Sequence, residues 1–96
     1  YTASKHAILG YTRAAAVDHA ADNIRVNAIS PGIVMTPMME GFDPKAPEVA
    51  MLMARIPAGR VATPEEIAGV VAFMASDRAA YMFGASIAVD GGWLAH

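Results

Sequence analysis

The stretch Ile24-Arg25-Val26-Asn27-Ala28-Ile29-Ser30-Pro31-Gly32 decides how this chain folds. Ile24, Val26 and Ala28 alternate with Arg25 and Asn27, the period of two that a half-buried strand requires. The β-branched residues suit a pleated surface. Ser30-Pro31-Gly32 then stops the strand and turns the chain. The pattern predicts a strand over Ile24–Ile29 followed by a tight turn.

On the N-terminal side, Thr2 to Ala21 reads as a helix. Ala3, Ala7, Ala14, Ala15, Ala16, Ala20 and Ala21 are strong helix formers, with Ile8, Leu9, Tyr11 and Val17 among them. Gly10 lies mid-helix. Either another backbone comes close there or the glycine is simply tolerated. Asp22-Asn23 ends the helix. On the C-terminal side, Ile33 to Thr36 reads as extended and Pro37 breaks it. Met38 to Met53, cut by Gly41, Pro44 and Pro47, predicts a mobile loop with one or two helical turns, the second near Glu48 to Ala54. Thr63-Pro64-Glu65-Glu66 is a capping box with proline at the first helical position. It opens a helix striped by Ile67, Val70, Val71 and Met74 and running to about Ser76. Ser86 to Val89 reads as a second strand and Asp90-Gly91-Gly92 as a turn. Strands separated by a helix favour a parallel pair with a right-handed crossover, hence an α/β fold.

Composition narrows the function classes. With 96 residues, 55% hydrophobic and 17% charged, at a net charge of −2, the chain is no disordered segment. The absence of cysteine excludes a disulfide scaffold, a thiolate zinc site and a cysteine nucleophile, and fits a reducing compartment, the cytoplasm. A pI near 5.8 leaves no basic patch for nucleic acid or anionic lipid. The apolar stretch Ile67 to Ala75 is about half of a membrane span. The sequence starts at Tyr1 with no signal region and with a helical pattern already under way at Ser4, so a piece of a longer chain is expected. Two parallel strands bury little core, so stability is expected to need missing strands or a partner.

Tyr1 and Lys5 stand four apart, which stacks them on one helix face. Positive charge beside a phenol favours the phenolate, so such a pair can give or take a proton at a carbonyl or hydroxyl. The same spacing also occurs on solvated helices, and the pair alone leaves both readings open.

The run Tyr1-Thr2-Ala3-Ser4-Lys5, with Ala7, Gly10, Thr12 and Arg13, then Ile24 to Gly32 and Thr36, resembles the short-chain dehydrogenase/reductase family. Tyr-x-x-x-Lys and Asn-x-x-x-Pro-Gly-x-x-x-Thr occur in order. Thr63-Pro64-Glu65-Glu66-Ile67-Ala68 and Val89-Asp90-Gly91-Gly92 look like the family's closing helix and last strand. The tail from Gly59-Arg60-Val61 onward is similar to the branch of 3-oxoacyl-carrier-protein reductase and glucose dehydrogenase.

The resemblance implies the C-terminal part of a Rossmann-like, doubly wound parallel sheet in a single NAD(P)-binding domain. It implies hydride transfer between NAD or NADP and a small-molecule carbonyl/alcohol substrate, in a homo-oligomer, dimer or tetramer. By position it makes Tyr1 and Lys5 both catalytic and cofactor-binding, Tyr1 as the acid/base and Lys5 as its charge partner and a ligand of the nicotinamide ribose. Pro31, Gly32, Ile33 and Thr36 match the loop holding the nicotinamide end. Ligands of open parallel sheets sit beyond the carboxyl ends of strands, where Ser30 to Thr36 falls. Gly32 would let the backbone approach the ligand, and Thr36 would offer a hydroxyl.

No Gly-x-Gly-x-x-Gly phosphate loop occurs in the chain. The residue that selects NAD or NADP, the catalytic serine and the partnering asparagine are likewise expected before Tyr1, so the isolated chain is expected to be inactive. The rival reading is a truncated remnant that self-associates as a structural module. His6, His19 and His96 share no metal-ligand spacing and read as surface residues. Glu65 and Glu66 suit a helix's positive end. Met35, Met38, Met39, Met51 and Met53 read as core filling or as a flexible lid over an apolar substrate. Tyr81, Phe83, Trp93 and Leu94 read as packing or subunit contacts.

Overall fold

The alanine-rich stretch forms helix α1, Thr2–His19, in the computed structural model, which describes residues 1–43 and 45–95. One 3-10 turn, Ala20–Asp22, follows, and the helix stops where Asn23 adopts a left-handed φ of 57°. Pro44, His96 and the Met38 side chain lie outside what is described, and with them the expected break at Pro44, the surface place of His96 and the part assigned to Met38. A side chain built at Gly10 meets nothing within 4 Å among the described residues, so no second backbone of this stretch approaches it. Gly10→Ala is therefore expected to stabilise the protein by about 1 kcal/mol, read as a higher urea midpoint at unchanged slope.

The first strand is shifted from its expected place. Strand β1 is Ala28–Pro31, not Ile24–Ile29. It pairs with β2, Ser86–Val89, as expected for the second strand. Ala28 N donates to Ala85 O (2.8 Å) and Gly32 N to Val89 O (2.9 Å), and because both partners advance together the pair is parallel. Ala28 and Gly32 aim their N–H groups at β2, so Pro31, in the alternate position, has no donor missing there. Ile24–Asn27 is held by other means. Gly84 N donates to Val26 O (2.8 Å). Asn27 mimics a strand edge, its amide donating to Met82 O (3.0 Å) and accepting from Ala85 N (2.9 Å). The Arg25 guanidinium donates to Met74 O (2.7 Å) and Ser76 O (3.1 Å) at the end of helix α3, Pro64–Ala75, satisfying carbonyls that the helix leaves open.

The expected loop contains a 3-10 turn at Pro37–Met39 and helix α2, Pro47–Ala54. A bridge that no local pattern signals adds a second parallel pairing, Val34 with Ala62. The chain divides into two packed units, Tyr1–Ser30 with Val70–Ile87 and Pro31–Gly69 with Ala88–His96. In the first, Thr12, Ala16 and Ala79 are buried, and Gly84 is tucked against Ala16. In the second, Ile56 is buried. These small cores leave Tyr11, Val17, Phe42 and Leu52 exposed.

The capping box of α3 is built as expected. Thr63 N donates to Glu66 Oε2 (2.9 Å) and Glu66 N to Thr63 Oγ1 (3.2 Å). Beyond the cap and the helix dipole, Glu66 has an ion-pair partner that no local motif signals. Arg60 grips both carboxylate oxygens, at 2.9 and 2.7 Å. That fork, with the Thr63 N–H, lowers the Glu66 pKa to about 2 from 4.5. A depressed carboxylate stabilises the fold fully above its unfolded value. The contribution is expected to fade as pH falls from about 4.5 to about 2. Denaturation midpoints of Glu66→Gln and the parent, measured across that window, should converge at its acid end.

Candidate active site

The Tyr1–Lys5 pair sits on the first turn of α1. Tyr1 occupies the N-cap, and its carbonyl accepts the Lys5 N–H (3.0 Å) and the Ser4 hydroxyl (2.7 Å). Those two bonds start the helix at Tyr1 and so fix the four-residue spacing as one turn. The Lys5 ammonium lies 5.2 Å from the centre of the Tyr1 ring, within cation–π range. The ring is 92% exposed and its hydroxyl caps nothing. The structure brings phenol and ammonium side by side, in the unit that holds Tyr1–Ser30.

Pro31, Gly32, Ile33 and Thr36 belong to the other unit, as one loop leaving the carboxyl end of β1. Ala62 brackets its middle, donating to Ile33 O (2.9 Å) and accepting from Met35 N (2.8 Å). Thr36 takes the N-cap of the next 3-10 turn without using its side chain, which leaves the hydroxyl available. At Gly32 the structure supplies a reason the sequence did not. A Cβ there would lie 2.8 Å from Asp90 Cα and 3.1 Å from Asp90 O. On the side where a Cβ would stand, Gly32 lies against the Asp90 backbone.

Asp90 is the residue around which this unit turns. Its Oδ1 accepts Gly92 N (3.0 Å) and its Oδ2 accepts Leu94 N (3.1 Å). The sequence marked the turn, and an aspartate ahead of two glycines is the signal for such side-chain closure. The partners of Arg25, Asn27 and Arg60 carry no sequence signal, being backbone groups some fifty residues away or an ion pair outside any local motif.

Met35 is half exposed and Met51 largely so. The Arg55 guanidinium stacks 4.6 Å from the centre of the Trp93 ring, whereas Tyr81 is almost fully exposed. The His6 ring bonds to Thr2 O (2.9 Å) on its own helix. Among the described residues no three acidic or histidine side chains gather to hold a metal, and no helix is long and apolar enough to cross a membrane.

Residues 1–94 match the family described as enoyl-(acyl carrier protein) reductase. The chain belongs to the short-chain dehydrogenase/reductase family. It is 48% identical over 95 residues to cis-4-hydroxycyclohexanecarboxylate dehydrogenase of Sinomonas cyclohexanicum, across 99% of the chain and 37% of that enzyme. It is 48% identical over 92 residues to the 3-oxoacyl-[acyl-carrier-protein] reductase of Thermotoga maritima, across 96% of the chain and 37% of that enzyme. An Agrobacterium tumefaciens protein described as a candidate 2-deoxy-D-gluconate 3-dehydrogenase, solved with NADP bound, superposes with a TM-score of 0.92 at 45% identity. It covers the whole chain and 39% of that structure. A 4-hydroxyisoleucine dehydrogenase solved with NADH superposes with a TM-score of 0.92 at 33% identity, over the whole chain and 40% of that structure. This short-chain dehydrogenase/reductase chain thus spans little more than a third of the length of the curated relatives it matches. Its α/β class and parallel strands are those of the family's Rossmann-like fold.

Proposed function

We propose that the protein to which these residues belong is an NAD(P)-dependent oxidoreductase acting on a carbonyl/alcohol pair. The observation that carries the reading is the Lys5 ammonium held 5.2 Å from the Tyr1 ring, on a helix start that leaves the phenol exposed. The side chains suit a nicotinamide dinucleotide. Lys5 offers an ammonium for ribose hydroxyls, and the Thr36 hydroxyl is uncommitted to its turn. When bound, the dinucleotide supplies or accepts the hydride. In the reducing direction Tyr1 gives its phenolic proton to the carbonyl oxygen while the carbonyl carbon receives the hydride. In the oxidising direction Tyr1 takes the hydroxyl proton. Lys5 keeps positive charge beside the phenol throughout, and Pro31 to Thr36 would hold the nicotinamide end.

These residues would form the C-terminal part of one dinucleotide-binding domain, with the phosphate loop supplied by other residues of that domain. The exposed Phe42, Met35 and Met51 suit an adaptable lining for an apolar substrate. The exposed apolar side chains suit a homo-oligomer. The full-length protein, assayed with NADH and NADPH against cyclic ketones and 3-oxoacyl thioesters, should consume reduced nicotinamide in step with alcohol formation. Absence of dinucleotide binding in the full-length protein would remove the reading. The 96-residue chain alone is expected to bind either dinucleotide far more weakly than the full-length protein.

A further inference from the structure

We infer that Asp90 is a positioning residue for the Pro31–Thr36 loop, an inference that rests on the function proposed above. Asp90 follows β2 directly. Besides the two bonds to its carboxylate, its carbonyl accepts Trp93 N (3.2 Å). Three bonds on one residue fold 90–94 back on itself and hold Gly91 and Gly92 at φ of +65° and +93°. The same backbone touches the loop. Gly32 N is bonded to Val89 O, and the place of a Gly32 side chain is taken by Asp90 Cα and O. Where the Asp90 backbone goes, Gly32 must follow.

The loop has few other supports. Ala62 brackets Val34 through two backbone bonds. Ile33 lines a cavity of about 140 Å³ shared with Ile56, Ala58 and Val89. A close-packed neighbour holds a group because every displacement forfeits dispersion contacts, and a void removes that restraint. The hydrogen-bonded turn at Asp90 is therefore a fixed support on the side of the loop that the cavity leaves loosely packed. The turn is itself buttressed, by Ala58 N donating to Gly91 O (2.9 Å) and by Arg55 stacking on Trp93. Both Asp90 oxygens accept backbone N–H groups, so the carboxylate acts by holding the turn against the loop.

Two substitutions in the full-length protein test this. Asp90→Asn keeps the shape and one acceptor but sets an amide N–H₂ against the Leu94 or Gly92 N–H. Asp90→Ala removes both acceptors. Affinity is measured for NADPH and NADH, and for ADP-ribose, which lacks the nicotinamide. Affinity for the reduced dinucleotides should fall about tenfold in Asp90→Asn and further in Asp90→Ala, because a small misplacement of a positioning group is costly. Affinity for ADP-ribose should hold level. Arg25→Met, which frees the end of α3, should lower the melting temperature without separating the two affinities. Dinucleotide binding at the parental level in Asp90→Asn overturns the inference. So does an equal loss for ADP-ribose, which would make Asp90 a support of the whole fold. A parent protein that binds neither dinucleotide overturns the functional reading itself, and this inference with it.

Discussion

Tyr1→Phe in the full-length protein is expected to lower kcat by about 10²–10⁴-fold, the usual contribution of a placed general acid or base. Dinucleotide affinity and melting temperature should stay at parental values. The substitution removes one oxygen and keeps the ring. The Tyr1 hydroxyl caps no helix N–H, and the helix start uses the backbone carbonyl. The ring is exposed, so no packing is lost, and Lys5 can still lie over it. The loss is therefore confined to proton transfer. Steady-state kinetics with a ketone, run beside dinucleotide titration, separates the two effects. Turnover within a few-fold of the parent would show that the proton comes from another group. A parallel loss of dinucleotide affinity would assign the hydroxyl to binding.

The second large effect is on stability. Gly91→Ala meets two penalties at once. Its φ of +65° lies in the left-handed region, which costs an L-residue about 1–2 kcal/mol. The added methyl would also lie 2.8 Å from Ile56 Cγ2 and 3.2 Å from Ala58 Cβ. Ile56 is 5% exposed, so its methyl must shift within the unit to make room. Forcing a methyl into such a contact costs about 1–3 kcal/mol more. Summing the two, a loss of about 2–5 kcal/mol is expected, a large share of a typical domain's stability. Chemical denaturation of the full-length protein reads it directly. Gly59→Ala is the internal comparison, since Gly59 has a φ of +74° but nothing within 4 Å of its absent side chain. It should show the backbone penalty alone. Equal losses at the two positions would remove the packing part of the argument.

Some of this protein was settled by local spacing. The Tyr1–Lys5 juxtaposition follows from a four-residue separation on any α-helix. The α3 cap follows from Thr63 and Glu66 three apart, and β2 from a short β-branched run closed by Asp90-Gly91-Gly92. Each involves neighbours in the chain, whose geometry the backbone dictates before any tertiary contact forms. The family followed for the same reason, because its motifs are local strings. What needed the folded chain was every feature whose partner is remote. β1 begins at Ala28 and not Ile24 because a strand exists only where another backbone pairs with it, and Ile24–Asn27 spend their bonding groups on residues 74–85 instead. Gly10 and Gly32 look alike in the sequence, yet one faces open space and the other the Asp90 backbone. Residue type and spacing specify what a segment can do; only the approach of a second segment, made by packing and hydrogen bonding across tens of residues, decides which of those options is taken.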